Sequence, residues 1–151
     1  MIYTIIVAVL FITDGIIKLL VEKKGQEGAV RPLLGGKLLL RKYHNTGAML
    51  NLGATKPKLT AFISLIFTVF MSGVFVATLG YKGAAALKTG LALLLGGAYS
   101  NTYDRLRRKY VVDYVSFGVK NQRFRNVIFN ISDFGIMIGA VLLVIGELLR
   151  E

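Results

Sequence analysis

The feature that most restricts what this chain can fold into is the segregation of its charges. Long apolar runs at residues 2–21, 59–80, 83–101 and 127–149 alternate with two basic stretches, 22–58 and 105–126. Each run approaches the roughly 20 residues a helix needs to cross the hydrocarbon core. A backbone in lipid must satisfy its own hydrogen bonds, so runs of this length read as membrane helices. The expectation is an all-α membrane protein with four transmembrane helices, forming a single membrane-embedded domain over residues 1–151. With 54% hydrophobic residues and a mean hydropathy of +0.61, the chain is too apolar for a soluble domain of this size.

The first run contains Asp14 and Lys18 and has neither a basic start nor a small-x-small site after it. It therefore reads as a span and not as a cleavable leader. The second carries no charge and four phenylalanines, Phe62, Phe67, Phe70 and Phe75, as suits a lipid-facing or structural helix. The third is rich in Ala and Gly, which allows close helix approach, and Lys88 near its start can snorkel. Only Tyr81-Lys82 links these two spans. The fourth has Asp133 about two turns in. Within the first basic stretch, residues 37–43 look extended, Asn45-Thr46-Gly47 signals a turn, and residues 48–52 are expected to return as a second strand. Residues 110–115 form another β-branched and aromatic strand. A small β-hairpin or sheet lying on the membrane surface is expected.

Several chemistries are excluded. There is no cysteine, so no disulfide, thiolate nucleophile or cysteine metal site. His44 is the only histidine, which rules out a histidine-rich metal site within one chain. No serine stands in a nucleophile-elbow context. The net charge of +11 would suggest nucleic acid in a soluble protein. Here the basic residues flank apolar spans, so membrane lipids with anionic headgroups are the expected partner and nucleic acid is not.

An even number of spans puts both termini on one side and both basic stretches on the other. Asp14, Lys18, Asp104, Asp113 and Asp133 then converge on one membrane face, a placement costly enough to mark function. Asp14 and Lys18 share a helix face. They read either as a buried ion pair holding the first span or as contacts to a headgroup or substrate backbone. Asn101, Asp104 and Arg105 end the third span, where an Asp–Arg pair can anchor the helix; Asn101 needs a partner inside the membrane. Asp113 and Asp133 have no local cation, and Asn130 lies one turn before Asp133. Taken singly, Asp113 could be an exposed loop aspartate and Asp133 an interhelical hydrogen-bonding group. Taken together in a partly dry site they cannot both ionise cheaply, so one holds a proton. Such a pair can activate water and polarise a peptide carbonyl.

Five motifs in order carry a resemblance. They are Phe11-Ile12-Thr13-Asp14 with Lys18; His44-Asn45-Thr46-Gly47-Ala48; residues 96–105, Gly-Gly-Ala-Tyr-Ser-Asn-Thr-Tyr-Asp-Arg; Val111-Val112-Asp113-Tyr114; and Phe129-Asn130-Ile131-Ser132-Asp133. In these the chain resembles bacterial lipoprotein signal peptidase (signal peptidase II) over nearly its whole length. The resemblance implies an aspartic endopeptidase of the cytoplasmic membrane. It would cut the signal peptide from diacylglyceryl-modified prolipoproteins just before the lipidated cysteine. It implies Asp113 and Asp133 as the catalytic pair. Asp14, Lys18, Asn45, Asn101, Asp104, Arg105 and Asn130 would be the supporting polar positions. It further implies no metal or organic cofactor, inhibition by globomycin-type cyclic peptides, a monomer, a small extracytoplasmic β-cradle, and an active site on that outer face.

The chain departs from the family pattern at Gly15, at Met49-Leu50, at Ser132 in place of the usual Ala, and at residues 126–128, where a proline is common. These departures mark a divergent member and touch the pocket wall more than the carboxylates. The outer-face placement opposes the positive-inside rule, since both basic stretches would lie outside; the five motifs outweigh the charge count. The alternatives are a non-enzymatic membrane protein of the same scaffold that binds lipid or signal peptides, and a small transporter using its intramembrane charges as a relay.

Overall fold

A computed structural model of the chain describes residues 1–47 and 54–148. Three long helices pack around a fourth, and a small sheet covers one end. The elements in chain order are α1 (Ile2–Lys24), β1 (Arg31–Leu33), β2 (Leu38–Asn45), α2 (Pro57–Leu79), α3 (Ala85–Arg108), β3 (Val111–Phe117), the short α4 (Gln122–Arg125) and α5 (Ile131–Leu148).

Three helices, α1, α2 and α5, are long and apolar enough to cross a membrane. The third expected span, α3, is as long but more polar, because it carries Lys88, Asn101, Asp104 and Arg105. It is also the hub, packed against α1, α2 and α5. A helix walled in by protein needs no lipid-compatible face, and polar side chains in such a segment turn toward the bundle interior. Most of the length of α3 is buried, whereas α2 exposes Phe62, Phe67 and Phe70 and buries Phe75 against Leu91, Ala92 and Leu95.

Glycines set how closely the helices approach. A Cβ on Gly97 would lie 2.3 Å from the Ser132 carbonyl oxygen, and one on Gly139 would lie 2.5 Å from that of Gly90. The α3 and α5 backbones therefore touch, as small residues permit. Lys88, near the start of α3, reaches back to the link from α2. It is buried, donates to the Tyr81 carbonyl and lies over the Tyr3 ring. There it satisfies a carbonyl of the link between α2 and α3.

The sheet draws on both basic stretches, with antiparallel order β1-β2-β3. The return strand expected at residues 48–52 lies outside the described residues; the partners of β2 are β1 and β3. The β2–β3 register pairs Leu40 with Val115 but Tyr43 with Asp113, so β2 carries one extra residue in a bulge at Arg41–Lys42. Phe129 extends the sheet: its N–H donates to the Val115 carbonyl at 2.7 Å, and its own carbonyl accepts from Tyr114 and Val115. Residues 127–130 are therefore not helical. The last helix starts at Ile131, which puts Asp133 in its first turn and not two turns deep.

Candidate active site

Asn130 decides where the two central carboxylates sit. It caps α5. Its side-chain oxygen accepts from the Asp133 N–H at 2.9 Å, and its own N–H donates to Asp133 Oδ2 at 3.0 Å. This is a reciprocal capping box, with Asp in the third helical position in place of the usual Glu. The side-chain nitrogen of Asn130 remains free for a third bond and donates to Asp113 Oδ1 at 2.7 Å. One fully buried asparagine thus bridges a carboxylate on the strand and a carboxylate on the helix.

Each carboxylate has a second amide donor. Asn45, at the end of β2, donates to Asp113 Oδ2 at 3.0 Å, and its side-chain oxygen accepts from the Gly47 N–H in a tight turn. Asn101, on α3, donates to Asp133 Oδ1 at 2.9 Å. Asp113 and Asp133 both line one cavity of about 190 Å³ together with Asn45, Asn101 and Arg105. Phe67 of α2 and Ile136 of α5 contribute to its apolar wall. Arg105 donates to the Gly47 carbonyl at 3.0 Å, which ties α3 to the turn beyond β2. Asp113 is 2% exposed. Burial pushes its carboxyl up to about 7, the neighbouring Asp133 adds to the rise, and the donors Asn45 and Asn130 oppose it.

Behind the cavity lies a fully buried charge network. Lys18 Nζ contacts Asp14 at 2.7 Å and Asp104 at 3.1 Å. It also donates to Asn101 Oδ1 at 2.8 Å and Ser100 Oγ at 3.1 Å. Lys18 holding the Asn101 oxygen leaves the Asn101 amide nitrogen turned to Asp133, so the network orients the cavity without lining it. Asp14 accepts from Ser100 and Ser132, each at 2.6 Å, and from the Tyr114 hydroxyl at 2.8 Å. Burial, and then the Asp14 charge, push the Tyr114 phenol above its usual range, which keeps it a donor.

All nine residues singled out in the sequence fall in this region. Asp113, Asp133, Asn45, Asn101 and Arg105 meet at the cavity; Asn130, Asp14, Lys18 and Asp104 stand behind it. The expected Asp104–Arg105 pair does not form. Asp104 binds Lys18 and, one turn on, Arg108 at 3.4 Å, because an i,i+4 neighbour shares its face while Arg105 points to the cavity. The sequence reasoning missed Ser100, Tyr114, Ser132 and Arg108. Three of these lie inside the quoted motifs, and Ser132 was visible only as a departure. It also missed the clamp at the end of α1, where His44 stacks on Tyr110 at 4.0 Å and contacts Glu22 at 2.7 Å and Glu27 at 3.2 Å. Among the described residues, no group of three acidic, histidine or cysteine side chains is placed to hold a metal ion.

Comparison with known proteins gives a consistent result. A family model described as signal peptidase (SPase) II matches residues 6–149. A "Lipoprotein signal peptidase" from Halothermothrix orenii is 32% identical over 141 residues, covering 93% of this chain and 91% of that protein. Two solved structures share the fold, both described as bacterial membrane enzymes studied by the in meso method. The one at 2.3 Å resolution has a TM-score of 0.82 at 24% identity and covers 97% of this chain and 87% of its own. The one at 1.9 Å has a TM-score of 0.80 at 23% identity, with 97% and 92% covered.

Proposed function

The chain belongs to the signal peptidase II family, and on that premise we propose that it is a membrane aspartic endopeptidase removing signal peptides from diacylglyceryl-modified prolipoproteins. The cut falls before the lipidated cysteine. The observation that carries this reading is the pair Asp113 and Asp133 lining one cavity, each with two amide donors and both held by Asn130.

At neutral pH the pair holds one proton, and Asp113, whose carboxyl burial pushes up to about 7, is the better placed to carry it. A water between the carboxyl groups gives a proton to ionised Asp133 as its oxygen attacks the scissile carbonyl carbon. Asp113 gives its proton to the carbonyl oxygen. The resulting diol collapses as one of its hydroxyls returns a proton to Asp113, the C–N bond breaks, and the leaving nitrogen takes the proton from Asp133. Asn45, Asn101 and Asn130 keep both carboxyl groups in register for this exchange. Arg105, on the cavity wall, is placed to hold a substrate carbonyl.

The helix α3 is the fourth span. Its 24 residues extend about 36 Å at the helical rise, enough for the hydrocarbon core. The β-sheet and the cavity lie on the extracytoplasmic face, the protein works as a monomer, and globomycin-type peptides occupy the cavity.

The test is cleavage of a diacylglyceryl precursor by purified protein. Asp113→Asn and Asp133→Asn should each abolish turnover, and globomycin should stop the unaltered protein. Near-normal turnover in either variant would exclude the shared-proton mechanism. No turnover by the unaltered protein would favour a binding role. Because the chain has no cysteine, Lys42→Cys and Lys82→Cys report orientation cleanly. In intact cells an impermeant thiol reagent should label position 42 only.

A further inference from the structure

A second cavity, of about 290 Å³, lies between the C-terminal end of α1 and strand β2, away from the carboxylates. Its apolar floor comes from Ile17, Leu20 and Leu40, and its rim carries Lys24, Arg31, Arg41 and Lys42. Two local features build it. At Gly25 the chain leaves α1 so close to β2 that a Cβ there would lie 3.2 Å from the Lys42 Cβ. The bulge in β2 breaks the alternation, so the consecutive residues Arg41 and Lys42 both reach the same cleft.

The charges on this rim are not balanced. Lys42 is paired with Glu22 at 2.9 Å. Lys24, Arg31 and Arg41 have no carboxylate within ion-pair distance among the described residues. The Arg41 Nε is buried and has no hydrogen-bond partner among them. A buried donor of this kind calls for an acceptor. Next to the cleft residues Ala29 and Arg31 in the chain, Val30, Leu33 and Leu34 are exposed, Leu34 at 73%, an apolar edge suited to the headgroup and upper acyl region of a bilayer. An apolar floor under uncompensated cations, at that depth, matches a molecule with an acyl chain and an anionic head.

We propose that this cleft binds one anionic glycerophospholipid of the surrounding bilayer. Its phosphate is held by Arg31 and Arg41, and an acyl chain lies over Ile17, Leu20 and Leu40. The proposal rests on the membrane reading alone and is independent of the peptidase reading. Bound lipid would bridge α1 to the sheet that carries Asn45 and Asp113.

Native mass spectrometry of the full chain, released from detergent containing equal phosphatidylglycerol and phosphatidylcholine of the same acyl composition, tests it. The unaltered protein should retain a phosphatidylglycerol adduct in preference. Arg31→Gln/Arg41→Gln should lower that preference about thirtyfold, as losing two cations at a headgroup implies. Should that variant misfold, Lys24→Gln/Arg31→Gln, at two exposed positions, gives the same readout. Arg107→Gln/Lys109→Gln, which leaves the cleft intact, should keep the preference. The proposal is overturned if the unaltered protein shows no preference or if the cleft variants keep it. It is also overturned if the control loses the preference equally, or if millimolar inorganic phosphate displaces the adduct.

Discussion

Replacing Lys18 by Met tests whether the buried network sets the geometry of the cavity. Lys18 is 1% exposed and touches Asp14, Asp104, Asn101 and Ser100. With Arg108 on Asp104, the cluster holds two carboxylates and two cations and is neutral. Lys18→Met strands one negative charge in a dry interior. Removing one partner of a buried pair typically costs about 3–5 kcal/mol, most of it the uncompensated charge left behind. At the slope usual for chains of this size, that is a fall in melting temperature of roughly 6–20 °C. Asp14→Asn/Lys18→Met restores neutrality and should recover most of the loss, a non-additive result for two contacting residues. Activity should not follow. In both variants Asn101 loses the ammonium that fixes its oxygen, its amide is free to turn from Asp133, and turnover falls even where stability returns. Thermal melts followed by circular dichroism suit a chain with no tryptophan, alongside cleavage of a lipidated precursor. A single variant melting within about 2 °C of the parent, or a double variant no more stable than the single, would refute the reasoning.

Other expectations follow from the same geometry. The Asp113 carboxyl is raised from 3.8 to about 7, so between those pH values the folded state holds a proton the unfolded chain has lost. Its cost to stability is absent below pH ~4, grows as pH rises and is complete above ~7; Asp113→Asn should flatten that part of a melt-versus-pH curve. Ser132→Ala removes a 2.6 Å bond to Asp14 but leaves its other donors, so about 1 kcal/mol of stability should go with turnover nearly intact. Gly97→Ala drives a methyl into the Ser132 carbonyl and must part α3 from α5, costing about 1–3 kcal/mol and, by separating Asn101 from Asp133, most of the turnover. Gly73→Ala, with open space around it inside α2, should leave turnover unchanged and raise stability by at most about 1 kcal/mol, the gain of alanine over glycine in a helix.

The apolar runs were legible as helices because hydropathy is a local property, and three of them qualify as membrane spans by length and composition. The third run shows where that local reading ends: its polar residues stand in the sequence, but that α1, α2 and α5 enclose them is a fact of packing. The site divides in the same way. Motif order alone picked out the acidic, amide and basic side chains now found around the cavity. It did not distinguish those that line it from those that hold the liners in place. That division depends on Gly97 letting two backbones touch and on Phe129 joining the sheet, so that Asn130 caps α5 within reach of Asp113. It depends equally on Asp104 choosing Lys18 and Arg108 over Arg105. Each is a contact across distant parts of the chain, where direction and distance decide the partner and spacing along the sequence carries no record of either.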